Sequence, residues 1–269
     1  MPSAPIPLSP SVRSAAEKLQ QDHYERIAAE YDIHYNDAYS RKYMREFVFK
    51  PMFDGIELEN RNVLEAMCGG GQAARFLMER NATVTGLDIS EQQAGYFKLR
   101  QPGAEVICGS ILDSGIPDAS FDIVSVVGGI HHMPPHIDET IVEIHRILKP
   151  DGYFCFMEPH SESIAEIFRS TWYKYDPLFA KNEAAISMRK LRGTFADRFE
   201  FVRENYFGNF GYLFVLNSMV FRVPPRIKTI YSPLMLFAES VFNRIGGKPF
   251  SCFVVGQWRK IDSKTNASA

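Results

Sequence analysis

The chain has 269 residues, 45% of them hydrophobic, which suffices to bury a sizeable core in one large domain or in one domain with an appended cap. Its 30 Lys and Arg against 32 Asp and Glu leave a net charge of -2, and the cations are scattered along the chain, which excludes the basic footprint of a nucleic-acid partner. Cys68, Cys108, Cys155 and Cys252 lie far apart without a CxxC pair. That spacing excludes a zinc ribbon or a small disulfide scaffold and fits a reducing, cytoplasmic compartment.

Residues 1–11 are rich in Pro and Ser and lack the apolar stretch of a secretion signal, so they read as a flexible leader before a helix beginning near Val12. A single domain is expected over 12–261. Its first layer, 12–55, is helical: "HYERIAAEYDIHY" and "RKYMREFVFKPMF" repeat aromatic and aliphatic residues every three or four positions, and Pro51 closes the layer. The rhythm then changes. Over 60–159, "NVLEAM", "ATVTGLDIS", "AEVICGS", "FDIVSVVGG" and "YFCFMEP" are short apolar strands that alternate with helices "QAARFLMERN", "SEQQAGYFKLRQP" and "HIDETIVEIHRILKPDG". The last of these helices places Ile137, Ile141, Ile144 and Leu148 on one face. Such alternation predicts an α/β fold, a mostly parallel sheet covered by helices on both sides.

Residues 160–248 leave that pattern. "SESIAEIFRSTWYKY" and "NEAAISMRKLRGTF" predict helices, "FEFVRENYF" a strand, and 212–245 a very apolar segment broken by prolines. "PFSCFVVGQWRKI", within 249–261, supplies a terminal strand that closes the sheet in an antiparallel pair, and 262–269 form a tail.

The chemistry concentrates on "VLEAMCGGGQAARFL". Three glycines between a strand and a helix let a ligand approach the backbone without a Cβ in the way, next to the unpaired N–H groups of a helix start. The next strand ends in Asp88, a carboxylate placed to accept from both hydroxyls of a ribose. Gly69, Gly70 and Gly71 followed by Gln72, Ala73 and Ala74 fit the dinucleotide pattern G-x-G-x-x-G poorly, and no Walker lysine follows.

With these residues together the chain resembles the class I S-adenosylmethionine-dependent methyltransferases, especially members acting on small molecules and lipids. "VLEAMCGGG" resembles their first motif, with Glu65 in the acidic place and Gly69 and Gly71 in the last two glycine places. Met67 stands in the first glycine place, a departure. "VTGLDIS" resembles the second motif, with Asp88 as the ribose acid, while "IPDASFDIVSVVGGIHHM" and "EIHRILKPDGYFCFMEP" resemble the segments around strands four and five. The resemblance implies a Rossmann-like seven-stranded sheet, an N-terminal helical lid, an inserted apolar cap and S-adenosyl-L-methionine as cofactor. Its cofactor-side residues are Tyr24 and Tyr31 in the lid, Glu65, Gly69, Gly71, Asp88, Ile89, Ser110 and Ile111. Glu65 sits near the methionine amino group or organises the glycine turn. Ser110 occupies a place where relatives carry an adenine-binding Asp, so the adenine contact passes through Ser110, the neighbouring backbone or Asp113.

Methyl transfer is an in-line displacement for which the protein mainly aligns the reactants in a dry site. An oxygen or carbon nucleophile also calls for a base, and His131 and His132 at the mouth of strand four are the candidates. The other role open to them is stacking on the cofactor or capping the turn. His131, His132, His136 and Asp138 share one loop without rigid helical spacing, so no metal site is expected. His136, Glu158, His160, Trp172, Tyr173 and Tyr206 are substrate-side candidates, Trp172, Tyr173 and Tyr175 as a wall of a hydrophobic chamber.

The apolar runs of 212–245 are too short and interrupted to span a bilayer. Flanked by Arg222, Arg226, Lys228, Arg244 and Lys248, they predict a lid over a greasy substrate, peripheral membrane contact or a homodimer interface. The expected activity is O-methylation of a small hydrophobic or amphipathic acceptor. The alternatives are a sugar or N- or C-methyltransferase, an S-adenosylmethionine-assisted rearrangement or cyclisation enzyme, and a non-catalytic S-adenosylmethionine-binding scaffold.

Overall fold

The computed structural model describes residues 15–133, 135–167, 169 and 184–261. Seven strands form one sheet: β1 (Asn62–Ala66), β2 (Thr83–Asp88), β3 (Glu105–Cys108), β4 (Phe121–Val127), β5 (Leu148–Pro159), β6 (Phe199–Phe207) and β7 (Phe253–Lys260), in the order β3-β2-β1-β4-β5-β7-β6. The first five pair in parallel, whereas β7 runs antiparallel to both β5 and β6. The expected α/β sheet and its antiparallel closure are both present. The closing strand enters between β5 and β6, so the chain's last strand is interior to the sheet.

Central strands buried on both faces require continuous apolar runs, and the two faces take alternate residues. Val63 packs on one side with Phe76 and Phe97, and its neighbour Leu64 on the other with Ile141, Ile144 and Trp258. The helices flanking this part are α4 (Gln72–Met78), α5 (Glu91–Arg100) and α6 (Ile137–Ile147). Leu148, expected on the last helical face, instead opens β5 and pairs with Phe121.

The N-terminal layer is α1 (Ala15–Tyr35) followed by α2 (Ala38–Tyr43), which continues through a wider π turn over Met44–Phe49 into α3 (Lys50–Met52). Asp37 caps α2, accepting from the Tyr39 and Ser40 amides. After β5 come α7 (Met188–Phe195) and, between β6 and β7, α8 (Pro225–Ile245). Of the prolines expected to break this apolar segment, Pro224 and Pro225 do separate a π turn at Tyr212–Leu216 from α8, whereas Pro233 does not interrupt it. Pro224 and Pro225 start the helix, where a missing N–H costs nothing, and α8 runs on through Pro233.

Helix α8 buries a polar face. Lys228, Ser232, Leu236 and Glu239 point inward at helical spacing. The Lys228 ammonium donates to the His34 carbonyl (2.8 Å), Asp37 Oδ2 (2.5 Å) and Ser40 Oγ (2.6 Å). Three turns on, Glu239 accepts from the Tyr43 hydroxyl (2.7 Å) and the Gly211 amide (2.9 Å). A buried charge left unpaired costs several kcal/mol, so Lys228 locks α8 to the α1–α2 junction and Glu239 locks it to the end of α2 and to Gly211.

Candidate functional site

Strand order reverses direction between β1 and β4, and in open α/β sheets the crevice beyond the carboxyl ends at such a point is where ligands bind. A cavity lies there. Met67 and Gly69 line it from the turn after β1, Leu87, Asp88 and Ile89 from the end of β2, and Gly109, Ser110 and Ile111 from the end of β3. Gly128, Gly129, His132 and Met133 line it from the turn after β4, while Glu17 and Gln20 reach in from α1.

The turn after β1 explains its glycines. Gly69 (φ 49°) and Gly71 (φ 79°) hold left-handed backbone, and a Cβ on Gly71 would sit 2.8 Å from the Phe97 ring. Glu65, only 2% exposed, accepts from the Ala73 (2.9 Å) and Ala74 (2.8 Å) amides at the start of α4. It thereby organises the glycine turn and stands outside the cavity lining. Burial pushes its pKa up to about 8 despite those two donors. Two of the first α4 amides are thus taken by this carboxyl and not offered to a ligand.

Met67, in the first glycine place, has φ 53° and lines the cavity. Its side chain rests on Gly129: a Cβ there would lie 2.5 Å from Met67 Sδ and 2.9 Å from Met67 Cβ. The bulk of Met67 is thus accommodated by a glycine on the neighbouring strand end.

Asp88 accepts from the Gly69 amide through Oδ2 (2.8 Å) and from the Ser90 amide through Oδ1 (2.9 Å). Burial raises its pKa, and the two amides oppose that rise. Each oxygen keeps a second lone-pair direction, which suits a pair of ribose hydroxyls. Ser110 accepts from the Leu112 amide (3.1 Å) and donates to the Glu17 carboxylate. A carboxylate from α1 therefore stands beside Ser110, the place for which the resemblance implies an Asp. The glycine cradle, the half-buried Asp88 and these polar groups at the far end together fit an adenosyl moiety.

At the opposite end, Glu158 is fully buried and holds the turn after β4. Its Oε1 accepts from the Gly129 (2.8 Å) and Ile130 (2.7 Å) amides, and its Oε2 lies 2.7 Å from His131 Nδ1. His131 in turn lies against His132, ring centroids 3.8 Å apart, and it is His132 that lines the cavity. Glu158 is therefore placed behind the histidines rather than facing a substrate. A proton on His131 Nδ1, directed at Glu158, leaves the basic lone pair on Nε2.

His160, Tyr206 and His136 lie apart from this cluster. His160 is fully buried, 2.9 Å from Ser251 Oγ and edge-on to Tyr206, and burial lowers its pKa to about 4. His136 pairs with Glu139 (2.5 Å) at the start of α6. Tyr24 and Tyr31 lie on α1. Trp172, Tyr173 and Tyr175 fall outside the described residues. Sequence reasoning missed Glu17, Gln20, Gln93 and Met133 as lining residues. Glu17 precedes its partner Ser110 by 93 positions, and no local pattern connects the two.

Among known families, the methyltransferase domain matches residues 64–156, which run from β1 into β5. An uncharacterized methyltransferase of Synechocystis is 34% identical over 133 residues, 47% of this chain and 59% of that protein. A fatty-acid O-methyltransferase of Mycolicibacterium smegmatis is 32% identical over 142 residues, 51% of each chain. The chain spans about half the length of the curated relatives it matches. Among solved structures, an S-adenosylmethionine-dependent methyltransferase of Archaeoglobus fulgidus shares the fold, with a TM-score of 0.57 at 17% identity over 86% of this chain and 98% of that one.

Proposed function

We propose that this chain, which belongs to the class I S-adenosylmethionine-dependent methyltransferase family through its core at residues 64–156, methylates an oxygen of a small hydrophobic or amphipathic molecule. The observation that carries the reading is the buried Glu158–His131 pair, set at the mouth of β4 beside a cavity that has Gly69 and Asp88 at its other wall.

When bound, S-adenosyl-L-methionine supplies an electrophilic methyl on a sulfonium. Asp88 and the Gly69 turn would hold the nucleoside, Glu17 and Ser110 would receive the adenine end, and Glu17 and Gln20 of α1 would cover it. Gly128, Gly129 and His132 would then lie at the methyl end. For a hydroxyl acceptor, the stacked His131–His132 pair would take up the hydroxyl proton, His132 from the cavity wall and His131 behind it, with the Glu158 carboxylate to stabilise an imidazolium. A carboxylate acceptor, the kind implied by the name of the mycobacterial relative, arrives already ionised and does without that proton transfer.

The test is twofold. Titration calorimetry with S-adenosyl-L-methionine and S-adenosylhomocysteine measures cofactor binding. Isotope-labelled methyl then tracks transfer to long-chain fatty acids, fatty alcohols and isoprenoid alcohols. Binding followed by labelled ester or ether supports the reading. Binding with no label in any acceptor turns it toward a scaffold, and product formed while the cofactor stays unconsumed turns it toward rearrangement.

A further inference from the structure

The outer face of α8 is apolar where a surface helix is ordinarily polar. Ile227, Ile230, Leu234, Phe237, Val241 and Ile245 recur every three or four residues and form one exposed stripe, with Ile230 at 80% and Ile245 at 72% exposure. The stripe runs for about 27 Å at 1.5 Å per residue. The helix cannot turn this face inward, because Lys228 and Glu239 tie the opposite face to Asp37, Ser40 and Tyr43.

The charges carried by this segment are one-sided. Between residues 208 and 250 the exposed and half-exposed ionic groups are Arg222, Arg226, Arg244 and Lys248, the last paired with Glu162 (3.9 Å), and the single acid, Glu239, is buried. Arg226 stands at the start of the stripe and Arg244 at its end. No helix is long and apolar enough to cross a membrane among the described residues.

We propose that the α8 face docks on an anionic lipid surface, lying in the interface with its apolar stripe among the acyl chains and Arg226 and Arg244 on the headgroup phosphates. Charge selects this occupant over a second copy of the chain. Two-fold pairing of the stripes would bring Arg226 of one copy toward Arg244 of the other, with no exposed acid in 208–250 to compensate. The inference stands apart from the methyl-transfer reading, since it concerns only where the protein sits.

The full chain is tested by flotation with vesicles of phosphatidylcholine alone and of phosphatidylcholine with roughly one quarter phosphatidylglycerol. The expected result is binding to the anionic vesicles only, weakened by salt. An Ile230→Ser, Leu234→Ser, Phe237→Ser variant alters only exposed side chains and should keep its circular dichroism and melting temperature while losing at least about tenfold in partitioning. An Arg226→Glu, Arg244→Glu variant should lose the preference for anionic lipid. Absence of wild-type protein from the floated fraction overturns the proposal, as does binding that the serine variant retains. So does a dimer in sedimentation velocity that the serine variant disperses.

Discussion

Glu158 Oε2 sits 2.7 Å from His131 Nδ1, while the other oxygen of the same carboxylate accepts the Gly129 and Ile130 amides. One buried acid thus sets both the shape of the turn after β4 and the tautomer of the histidine on it. Glu158→Gln keeps the size but loses the charge that stabilises a protonated His131. With a hydroxyl acceptor it should lower kcat by roughly 10²–10³-fold and leave cofactor affinity within a few fold. His131→Ala should act alike, and neither should matter much for a carboxylate acceptor. Steady-state kinetics on a fatty alcohol and a fatty acid, alongside calorimetry, separate the cases; equal losses on both acceptors would make the pair structural.

Met67 and Gly129 form a matched pair. Gly129→Ala would push a methyl to 2.9 Å from both Met67 Cβ and Val126 Cγ1, costing about 1–3 kcal/mol and driving Met67 into the cofactor cavity. Cofactor affinity should fall with stability. Met67→Gly also suits the φ of 53° at that position, so the double variant should recover most of both losses. Chemical denaturation and calorimetry on the four proteins of this cycle measure the coupling, and additive losses would refute it.

Asp88 accepts from two amides and faces the cavity. Asp88→Asn must turn a donor toward the Gly69 or Ser90 amide or away from the ribose, so affinity for S-adenosylhomocysteine should drop at least about tenfold. Affinity within twofold of wild type would place the nucleoside elsewhere.

His160 gives a pH signature of stability. Burial lowers its pKa to about 4 from an ordinary 6.5, so the unfolded chain binds the proton more readily than the folded one. The contribution is fully present above pH 6.5 and is lost as pH falls through about 4, at most roughly 3 kcal/mol. His160→Gln can keep a bond to Ser251 and cannot titrate. Urea denaturation at a series of pH values should therefore show the wild-type advantage shrinking from pH 7 to pH 4; a constant difference would count against a buried neutral imidazole.

Much of the core was legible because its signals are local. The alternation of Val63 and Leu64 between two faces, the glycines at Gly69 and Gly71, and Asp88 at a strand tip all follow from side-chain period and allowed φ. The start of α8 at Pro225 and its passage through Pro233 were not legible, since a proline marks a helix start and a helix break with the same residue. Nor was the role of Glu158. Its place at the end of β5 was readable, but the amides it accepts belong to a turn about 28 positions earlier.

By itself the sequence determined a parallel α/β core with a nucleoside-shaped turn, because strand period, helix period and glycine backbone freedom act over a few residues. Only the tertiary structure decided that β7 slips between β5 and β6, that Glu17 meets Ser110, and that α8 turns Lys228 and Glu239 inward and its apolar stripe outward. Each of those outcomes rests on buried polar groups finding partners far along the chain. Desolvation makes such partners obligatory, and no local pattern names them.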